Sequence, residues 1–382
     1  MLCLIEDYRP LLSKLLGRLI VYLLLTTIVF ATSCSKTENK TDPPTTNTIG
    51  FFIRGVDLSF SPEIESYIAF ITGTPSSLDF YKSKGINTIR LRVWNSPASI
   101  NSSPQQVLAY AKFIKAKGLK LWIDFHYSDT WADPANQTPP IAWQNLNQTQ
   151  LGDSVYAFTH SFLTQLNQQN TPPDFVQIGN EINGGFLWTI GKVYTPTEDW
   201  TGFIPLLIQG VAATRTACPA AKIMLHTAGY NTYFFESMKL HNVDYDIIGV
   251  SYYPWWHGKN INDLENGIHR LSTQFNKPVV IAETAYPFSF GWNDYTNNIV
   301  GDTSKTIEGF DATPTGQARF IDTLVNITQK STQKNNSGIC YWAPDWVAYK
   351  GKTATNGSTW ENLALYDFDL KPLPAWAALG GK

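Results

Sequence analysis

The sequence has no surplus of charge of either sign. Its 382 residues contain 29 lysines and arginines and 31 aspartates and glutamates, which gives a formal net charge of −2. Without a basic surplus, a nucleic-acid partner is not expected, and there is no acidic tail. Only 16% of the residues are charged and 43% are hydrophobic, so the chain is too apolar for a disordered protein and can bury a large core.

Cysteine is also scarce. The four cysteines are Cys3, Cys34, Cys218 and Cys340, and their spacing does not match a zinc site. Cys340 lies within an apolar run, which favours a buried free thiol over a disulfide. A metal-binding cysteine cluster is therefore not expected.

Aromatic residues, in contrast, are abundant. The chain has 13 tryptophans, 18 tyrosines and 21 phenylalanines, which together make up 14% of it. A hydrophobic core does not need this many tryptophans. Aromatic rings in a charge-balanced chain suit ligands that have apolar faces and many hydroxyl groups, so the composition indicates a protein that binds sugars.

The N-terminal region has the features of a secretion signal. Three basic residues precede an apolar run at 19–30, which is too short to span a bilayer comfortably and has the length of a signal-peptide core. Small residues at 31–33 then precede Cys34, as in a bacterial lipoprotein cleavage box. We predict a lipoprotein signal peptide over 1–33 and a flexible tether over 34–49 that begins with the lipidated Cys34. An ordinary signal peptide followed by a chance cysteine is the alternative.

From residue 50 onward, short β-rich runs alternate with longer stretches of helical periodicity, which is clearest over 104–117 and 315–330. The β-rich runs are almost continuously apolar, as strands covered on both faces are. Eight strand–helix units over about 330 residues predict a (β/α)8 TIM barrel that forms a single catalytic domain over 50–382. An open doubly wound sheet is the alternative, but no G-x-G-x-x-G follows the first run. The eight runs lie at residues 51–58, 86–94, 119–126, 174–181, 222–227, 245–253, 278–284 and 338–343.

Two glutamates come directly after apolar runs of this barrel. Glu181 ends the fourth run, behind Asn180, and Glu283 follows the apolar part of the seventh. Chemistry in such barrels takes place at the carboxyl ends of the strands, and the fourth and seventh strands lie roughly opposite each other across the mouth. The two carboxyls can therefore flank a glycosidic bond, one protonating the leaving oxygen and the other attacking the anomeric carbon. The alternative is that each glutamate only forms an ion pair with an arginine at the mouth.

Seven segments match motifs of a known enzyme family: GVDLS at 55–59, RLRVW at 90–94, DFHYSDTWADP at 124–134, QIGNEINGG at 177–185, GVSYYPWW at 249–256, AETAYPF at 282–288 and YWAPDW at 341–346. The chain resembles the clan A glycoside hydrolases, and specifically glycoside hydrolase family 53, the endo-β-1,4-galactanases. The resemblance covers essentially all of residues 50–382. The third and fourth segments are long and specific, whereas the first and last are weak by themselves.

This resemblance implies a role for each of the central polar residues. It makes Glu181 the general acid/base and Glu283 the nucleophile of a reaction that retains the anomeric configuration, and it makes Asn180 the group that holds the sugar 2-hydroxyl before the cleaved bond. A retaining pair of this kind stands about 5–5.5 Å apart. A partly apolar setting should raise the pKa of the acid, while cations such as Arg90 should keep the nucleophile ionised.

Further candidates for substrate binding lie at the same strand ends. Arg90 is expected to bond the nucleophile carboxylate, with a structural ion pair as the alternative, and Trp342 is expected to be the platform beneath the sugar beside the cleaved bond. Strand alternation lets only one of Tyr252 and Tyr253 face the nucleophile, and the choice stays open. Asp57 and Trp94 are candidates for subsite walls, and His226 is expected to be a brace rather than a reactant. The full set of substrate-binding candidates is Asn180, Arg90, Asp57, Trp94, Asp124, His126, His226, Tyr253 and Trp342.

No metal or other cofactor is expected to take part in catalysis. Asp124 and His126 have the spacing of metal ligands, but no third and fourth ligands accompany them at matching strand ends. The loop at 289–311 is long and polar, and the resemblance implies a structural calcium near this end of the barrel in some members. The loop contains oxygen ligands without EF-hand spacing, so a structural calcium is kept as a candidate.

The predicted activity is endo-hydrolysis of β-1,4-galactan, such as the side chains of pectin, by a monomeric protein. The alternatives are another clan A endo-glycanase (a mannanase, cellulase or xylanase), a non-catalytic surface glycan-binding lipoprotein, and a metal hydrolase. The polymer is too large to import whole, and the aspartate that would signal inner-membrane retention is missing directly after Cys34. We therefore predict an extracytoplasmic protein, lipid-anchored in the outer membrane and facing the cell surface.

Overall fold

Eight parallel strands, β1 to β8, close into a barrel in the computed structural model of the protein, and they follow one another around it in chain order. The structure describes residues 50–65, 77–193, 197–332 and 334–382. The predicted (β/α)8 TIM barrel is confirmed, and the alternative prediction of an open doubly wound sheet is wrong. The predicted signal peptide, Cys34 and the tether lie outside the described residues. The strands are Phe52–Asp57 (β1), Thr88–Val93 (β2), Lys120–Phe125 (β3), Phe175–Ile178 (β4), Lys222–Ala228 (β5), Ile247–Ser251 (β6), Val279–Glu283 (β7) and Ser337–Trp342 (β8).

Helices pack on the outer face of the barrel, and this accounts for the apolar runs. Because helices cover the outside and other strands cover the inside, β2, β4, β6 and β7 are buried along their whole length. None of the described helices is long and apolar enough to cross a membrane. The α-helices are Ser61–Ile64 (α1), Ser77–Ser83 (α2), Pro104–Ala116 (α3), Gln148–Gln168 (α4), Phe203–Ala217 (α5), Thr232–Leu240 (α6), Pro254–His257 (α7), Ile261–Phe275 (α8), Pro314–Thr332 (α9) and Ala375–Gly380 (α10), with 3₁₀ turns at Ile141–Trp143, Thr303–Lys305 and Glu361–Leu363.

Local sequence signals account for the ends of the helices. Helix α3 begins at Pro104, directly after Ser103, whose hydroxyl accepts a hydrogen bond from the Gln106 amide at 3.2 Å. Gly118 follows this helix with a φ of +69°, which glycine adopts without steric cost. The helices predicted at 104–117 and 315–330 are observed at Pro104–Ala116 and Pro314–Thr332.

Strand β4 ends earlier than the sequence predicts, at Ile178 rather than at Glu181. Gly179 has a φ of +81°, and a Cβ atom at this position would lie 2.5 Å from Cγ2 of Ile182. Glycine is therefore required where the chain leaves the strand. Glu181 itself has a φ of +48°, so its carboxyl is presented from a tight turn beyond the strand end.

Strand β6 is also shorter than its predicted run at 245–253. Its register against β7 shifts between Val250 and Ser251, so that Ser251 pairs with Glu283. A bulge of this kind turns the side chains that follow it to a new direction. The bulge therefore sets how side chains at the mouth end of β6 are aimed.

The interior of the barrel beneath the mouth is filled by a separate apolar cluster. Trp122, Met224, Val280 and Cys340 are among its fully buried members. The guanidinium carbon of Arg90 lies 5.4 Å from the centre of the Trp122 ring, so this cluster is the floor on which the polar mouth residues rest. Cys340 is a free buried thiol, as predicted.

Candidate active site

A cavity of about 280 Å³ opens at the carboxyl ends of the strands. The barrel closes around it, so residues that are far apart in the sequence meet in its wall. Two predicted site residues, Trp94 and His226, do not line it. The predicted residues that do are Asp57, Arg90, Asp124, His126, Asn180, Glu181, Tyr253, Glu283 and Trp342.

Glu283 ends strand β7 and is held from two sides. Arg90 Nη2 lies 2.8 Å from its Oε1, and the Tyr253 hydroxyl donates to its Oε2 at 3.1 Å. The neighbouring Tyr252 hydroxyl donates instead to the carbonyl of Gly258 at 3.0 Å. The structure thus decides the open choice between the two tyrosines in favour of Tyr253, which contacts the nucleophile candidate.

Arg90 connects most of the charged groups of the site. Its Nη1 lies 2.8 Å from Asp57, and its Nη2 lies 2.8 Å from Asp124 as well as from Glu283. Its Nε donates to Gln177 at 3.2 Å. Burial by itself would lower the pKa of this guanidinium, but the three carboxylates around it raise the pKa well above its ordinary value. The site therefore contains a permanent, fixed positive charge.

Glu181 has a different environment. Its backbone amide donates to Nδ1 of His226 at 3.4 Å. Burial raises the pKa of Glu181 to about 7, because desolvation disfavours the ionised carboxylate. Burial also raises the pKa of Glu283, and the neighbouring Arg90 opposes this increase.

The direct contacts of the two carboxyls determine which of them is ionised more readily. The Arg90 guanidinium and the Tyr253 hydroxyl both donate to Glu283, and both interactions favour its ionised form. Within the described residues, no side-chain cation forms an ion pair with the Glu181 carboxyl, whereas Arg90 forms one with Glu283. A buried carboxyl without a contacting cation keeps its proton more readily. Near neutral pH the pair therefore consists of an acid at Glu181 and a carboxylate at Glu283.

Asn180 precedes Glu181 and is held rigidly. Its Oδ1 accepts hydrogen bonds from Arg90 at 3.0 Å and from Gln177 at 3.2 Å, and its Nδ2 donates to the carbonyl of Ala132 at 2.9 Å. An amide nitrogen has two hydrogens, so one Nδ2 hydrogen remains for a ligand in the cavity. Gln177, which sequence reasoning did not select, thus helps to orient both Asn180 and Arg90.

His126 and Asp124 form a second fixed pair at the end of β3. Nδ1 of His126 accepts from the Trp94 indole at 3.3 Å and from the Ala132 amide at 3.2 Å. The other ring nitrogen therefore carries the hydrogen and donates to Asp124 at 3.0 Å. Both residues line the cavity, where they can contact sugar hydroxyls.

Trp94, which the sequence predicts as a subsite wall, does not line this cavity. Its ring lies beside the Arg92 guanidinium, 4.8 Å from the ring centre, and it packs edge-on against Trp131 at 5.4 Å. Arg92 is enclosed further by Trp131 at 4.1 Å and by Phe60 at 4.3 Å. Burial lowers the pKa of Arg92 to about 10, so it remains charged near neutral pH, and the rings stabilise it by cation–π contacts. Trp94 therefore supports the wall from behind.

His226, predicted as a brace within the substrate-binding set, is fully buried and does not reach the cavity. Its Nε2 lies 3.0 Å from the Ser251 hydroxyl, and its Nδ1 lies 3.0 Å from Asn180 and from Gln177. His226 thus contacts three polar side chains behind the cavity lining, which is the position of a brace.

Tryptophans form the aromatic wall of the cavity. The Trp342 ring packs against Trp360 with centres 4.6 Å apart and against Trp346 at 5.9 Å. Sequence reasoning selected Trp342 but missed Trp131, Trp256, Trp346 and Trp360, which also line the cavity. In the sequence, these residues are visible only as part of an enrichment of tryptophan in the loops after the strands. That enrichment does not show which rings face the cavity.

Oxygen atoms that could hold a cation lie between the loop at 289–311 and the 3₁₀ turn that contains Glu361. Glu361 Oε2, Asn298 Oδ1 and Asn362 Oδ1 are buried and have no hydrogen-bond partner in the described part of the chain. The amide of Asn298 lies 3.3 Å from the other oxygen of Glu361. No cluster of three or more His, Cys, Asp or Glu residues suited to a metal occurs among the described residues. These donors fit calcium only if amide oxygens contribute to its coordination.

A (β/α)8 barrel whose mouth holds two glutamate carboxyls in one aromatic-lined cavity defines a glycoside hydrolase. A family model described as Glycosyl hydrolase family 53 matches residues 53–379. The chain belongs to this family, and the resemblance drawn from its sequence segments is confirmed.

Relatives match the chain over most of its length. The arabinogalactan endo-beta-1,4-galactanase of Cellvibrio japonicus (strain Ueda107) is 34% identical over 341 residues, which cover 85% of this chain and 89% of that protein. Among solved structures, the Ignisphaera aggregans GH53 catalytic domain is 37% identical with a TM-score of 0.79, covering 86% of this chain and 95% of that one. A structure of fungal beta-1,4-galactanases is 28% identical with a TM-score of 0.72, covering 86% and 99%.

Proposed function

We propose that the protein hydrolyses β-1,4-galactosidic bonds within arabinogalactan, as an endo-acting enzyme that retains the anomeric configuration. One observation carries the proposal: Glu181 and Glu283 line the same aromatic cavity, and Glu283 is the one held by a cation. An asymmetric pair supplies one acid and one nucleophile, as a double displacement requires. The family membership and the galactanase names of the relatives support the choice of substrate.

In the first step, an ionised Glu283 oxygen attacks the anomeric carbon while Glu181 gives its proton to the glycosidic oxygen. The bond between that carbon and that oxygen breaks, the leaving chain departs as an alcohol, and a glycosyl ester forms on Glu283. Arg90 and Tyr253 hold the attacking carboxylate in place. The Nδ2 hydrogen of Asn180 is available to the sugar 2-hydroxyl.

In the second step, Glu181 acts as the base. Formation of the ester removes the negative charge of Glu283, and this charge had raised the pKa of Glu181 by repulsion. Glu181 therefore ionises more readily and takes a proton from water, whose oxygen attacks the anomeric carbon. The ester bond breaks, the Glu283 carboxylate is regenerated, and the two inversions give net retention.

Substrates other than galactan are less well supported. A mannanase, cellulase or xylanase of the same clan would use the same pair of glutamates, but the matched family and its relatives bear the names of galactanases. A glycan-binding protein without catalysis would not need an acid and an ionised carboxylate in one cavity. Trp256, which lines the cavity and is 56% exposed, supports endo action because it offers a ring to a polymer that extends beyond the cavity.

The substrate and catalytic roles are tested by two assays. Reducing-sugar release should be seen with β-1,4-galactan and not with cellulose, mannan or xylan, and NMR of the first products should show the β anomer. Activity on mannan alone would refute the substrate, and initial release of the α anomer would refute the double displacement. Glu181→Gln and Glu283→Gln each test the assignment of the pair.

We also propose that Cys34 carries a lipid and anchors the enzyme to the outer membrane, facing the outside. The small residues at 31–33, directly before Cys34, support the lipid anchor. The size of the polymeric substrate supports the outward orientation. Metabolic labelling with a fatty acid should tag the wild type and not Cys34→Ser. Protease treatment of intact cells should remove the enzyme, and survival of the enzyme would contradict the outward orientation.

A structural calcium near Glu361 is a further part of the proposal. The unpaired oxygens of Glu361, Asn298 and Asn362 support it. Adding calcium to protein that has been treated with a chelator should raise its melting temperature. In Glu361→Gln, the increase in melting temperature should be smaller. An equal melting temperature with calcium and with chelator would contradict a bound calcium.

A further inference from the structure

Asp133 lines the same cavity as Glu181, and no step of the proposed reaction uses it. It lies half-buried in the loop after β3. Its Oδ1 accepts hydrogen bonds from the backbone amides of Ala135 at 2.7 Å and of Asn136 at 2.9 Å. A tight turn therefore fixes the side chain through one of its two carboxylate oxygens.

The other oxygen of Asp133 is available to a ligand. Oδ2 has no hydrogen-bond or ion-pair partner in the part of the chain that the structure describes. An ionised carboxylate accepts hydrogen bonds through both of its oxygens. The cavity wall therefore contains an oriented acceptor that the protein itself does not use.

Hydrogen bonds join the turn to the segment that carries Glu181. The buried Gln137 side chain donates from Nε2 to the carbonyl of Asn180 at 2.8 Å and to the carbonyl of Asp133 at 3.1 Å. In the other direction, Nδ2 of Asn180 donates to the carbonyl of Ala132 at 2.9 Å. Asp133 is thus fixed beside the proposed acid by two separate side chains.

The charged groups of the cavity also separate Asp133 from the nucleophile. Asp57 and Asp124 both form ion pairs with Arg90, which binds Glu283, whereas Asp133 forms no ion pair among the described residues. Burial is the main cause of the raised pKa of Glu181, and the negative charge of Asp133 raises that pKa further. Asp133 therefore belongs to the acid side of the cavity. Because the acid gives its proton to the departing oxygen, a group on this side meets the leaving chain.

We propose that Asp133 binds the leaving part of the substrate, by accepting at Oδ2 a hydrogen bond from a hydroxyl of the galactosyl unit that departs with the cleaved oxygen. The inference rests on the proposed function and extends it to the leaving-group side of the site. A hydrogen bond to a carboxylate is among the strong ones. It would hold the departing oxygen within reach of the Glu181 proton, which speeds the first step by orientation.

The test compares two leaving groups in the full chain. Galactan leaves as a sugar with hydroxyl groups, whereas 4-nitrophenyl β-1,4-galactobioside leaves as a phenol without sugar hydroxyls, and release of nitrophenol reports only that bond. Asp133→Asn keeps an oxygen for the turn and replaces the free acceptor by an NH₂ group. It should lower kcat/KM on galactan by about tenfold or more and keep the wild-type kcat/KM for nitrophenol release. Each enzyme is assayed at its own pH optimum, so that a changed pKa of Glu181 does not imitate a lost contact.

Asp129→Asn is the matched control from the same loop. Asp129 is also half-buried, but it does not line the cavity, and its two oxygens accept from the amides of Ser96 at 2.8 Å and of Ile141 at 2.9 Å. Its ratio of activity on the two substrates should equal that of the wild type. Asp133→Ser also keeps one oxygen for the turn, and it should show the same selective loss if Asp133→Asn does not fold.

An equal loss on both substrates, with the ratio unchanged, would mean that Asp133 serves only its turn. A larger loss in nitrophenol release than on galactan would place its contact on the other side of the cleaved bond. Either result overturns the proposal. Failure of the proposed function is recognised separately, because it is seen in the wild type alone as a lack of hydrolysis of galactan.

Discussion

Replacing Tyr253 by phenylalanine removes the hydroxyl that contacts Glu283, the proposed nucleophile, and leaves the aromatic ring in place. That hydroxyl donates to Oε2 of Glu283 at 3.1 Å, while Arg90 binds Oε1 at 2.8 Å. The variant therefore keeps the cation but loses the group that orients the second oxygen. A hydrogen bond to a charged group is worth about 1.5–3 kcal/mol, so kcat/KM should fall by about tenfold to about a hundredfold.

The same substitution should also move the acid limb of activity. Because the Tyr253 hydroxyl donates to the Glu283 carboxylate, it favours the ionised form, and its removal raises the pKa of Glu283. As the pH falls, the nucleophile is then protonated earlier. The acid limb of kcat/KM for galactan should move to higher pH, which initial rates measured from about pH 4 to about pH 9 would record.

Tyr252→Phe is the matched control, since it removes a hydroxyl from the adjacent residue. That hydroxyl donates to the Gly258 carbonyl at 3.0 Å rather than to Glu283. The control should keep the wild-type rate and pH profile, and thermal unfolding should report that both variants fold. Equal losses in the two variants, or a wild-type rate for Tyr253→Phe, would refute the orienting role.

Glu181→Gln and Glu283→Gln should each lower kcat by several powers of ten in a reducing-sugar assay, and near-normal turnover of either would contradict the assignment of the pair. Glu181 also makes stability depend on pH: its pKa rises on folding from 4.5 to about 7, so its contribution is complete below pH 4.5 and is lost as the pH rises through about 7. Calorimetry should therefore find that Glu181→Gln raises the melting temperature more at about pH 8 than at about pH 5, and an equal difference at both would exclude this account. Trp342→Ala should raise KM for galactan by about threefold to about tenfold through loss of ring stacking, whereas Trp292→Ala, which removes a half-exposed ring outside the cavity lining, should not; equal effects would argue against the platform.

The barrel can be predicted because its strands obey a local rule. A parallel strand covered on both faces is apolar along its length, and β2, β4, β6 and β7 are buried throughout. Gly85 and Gly118, with φ values of +96° and +69°, mark helix ends for an equally local reason. Glu181 and Glu283 can be placed at the mouth because the end of a strand in the chain is also its end in the barrel.

Side-chain directions could not be predicted in the same way. The sequence offers Trp94 as a subsite wall, but its ring lies beside the guanidinium of Arg92, which lines the cavity while Trp94 does not. Alternation along β6 leaves Tyr252 and Tyr253 equivalent, and the bulge at Ser251 aims the side chains that follow. The tryptophans in the loops are visible in the sequence as a group, but only packing selects those that face the cavity.

The sequence by itself determined the number of strands and the residue types that stand at their ends, because both depend on the order of residues along one chain. Only the tertiary structure shows that the two carboxyls have different environments, which is the physical basis of the proposed acid and nucleophile roles. That difference arises from the contacts of Glu283 with Arg90 and Tyr253, three residues on or after three different strands. Such contacts form when the barrel closes, and their electrostatic effect depends on distances of a few ångströms that residue order does not contain.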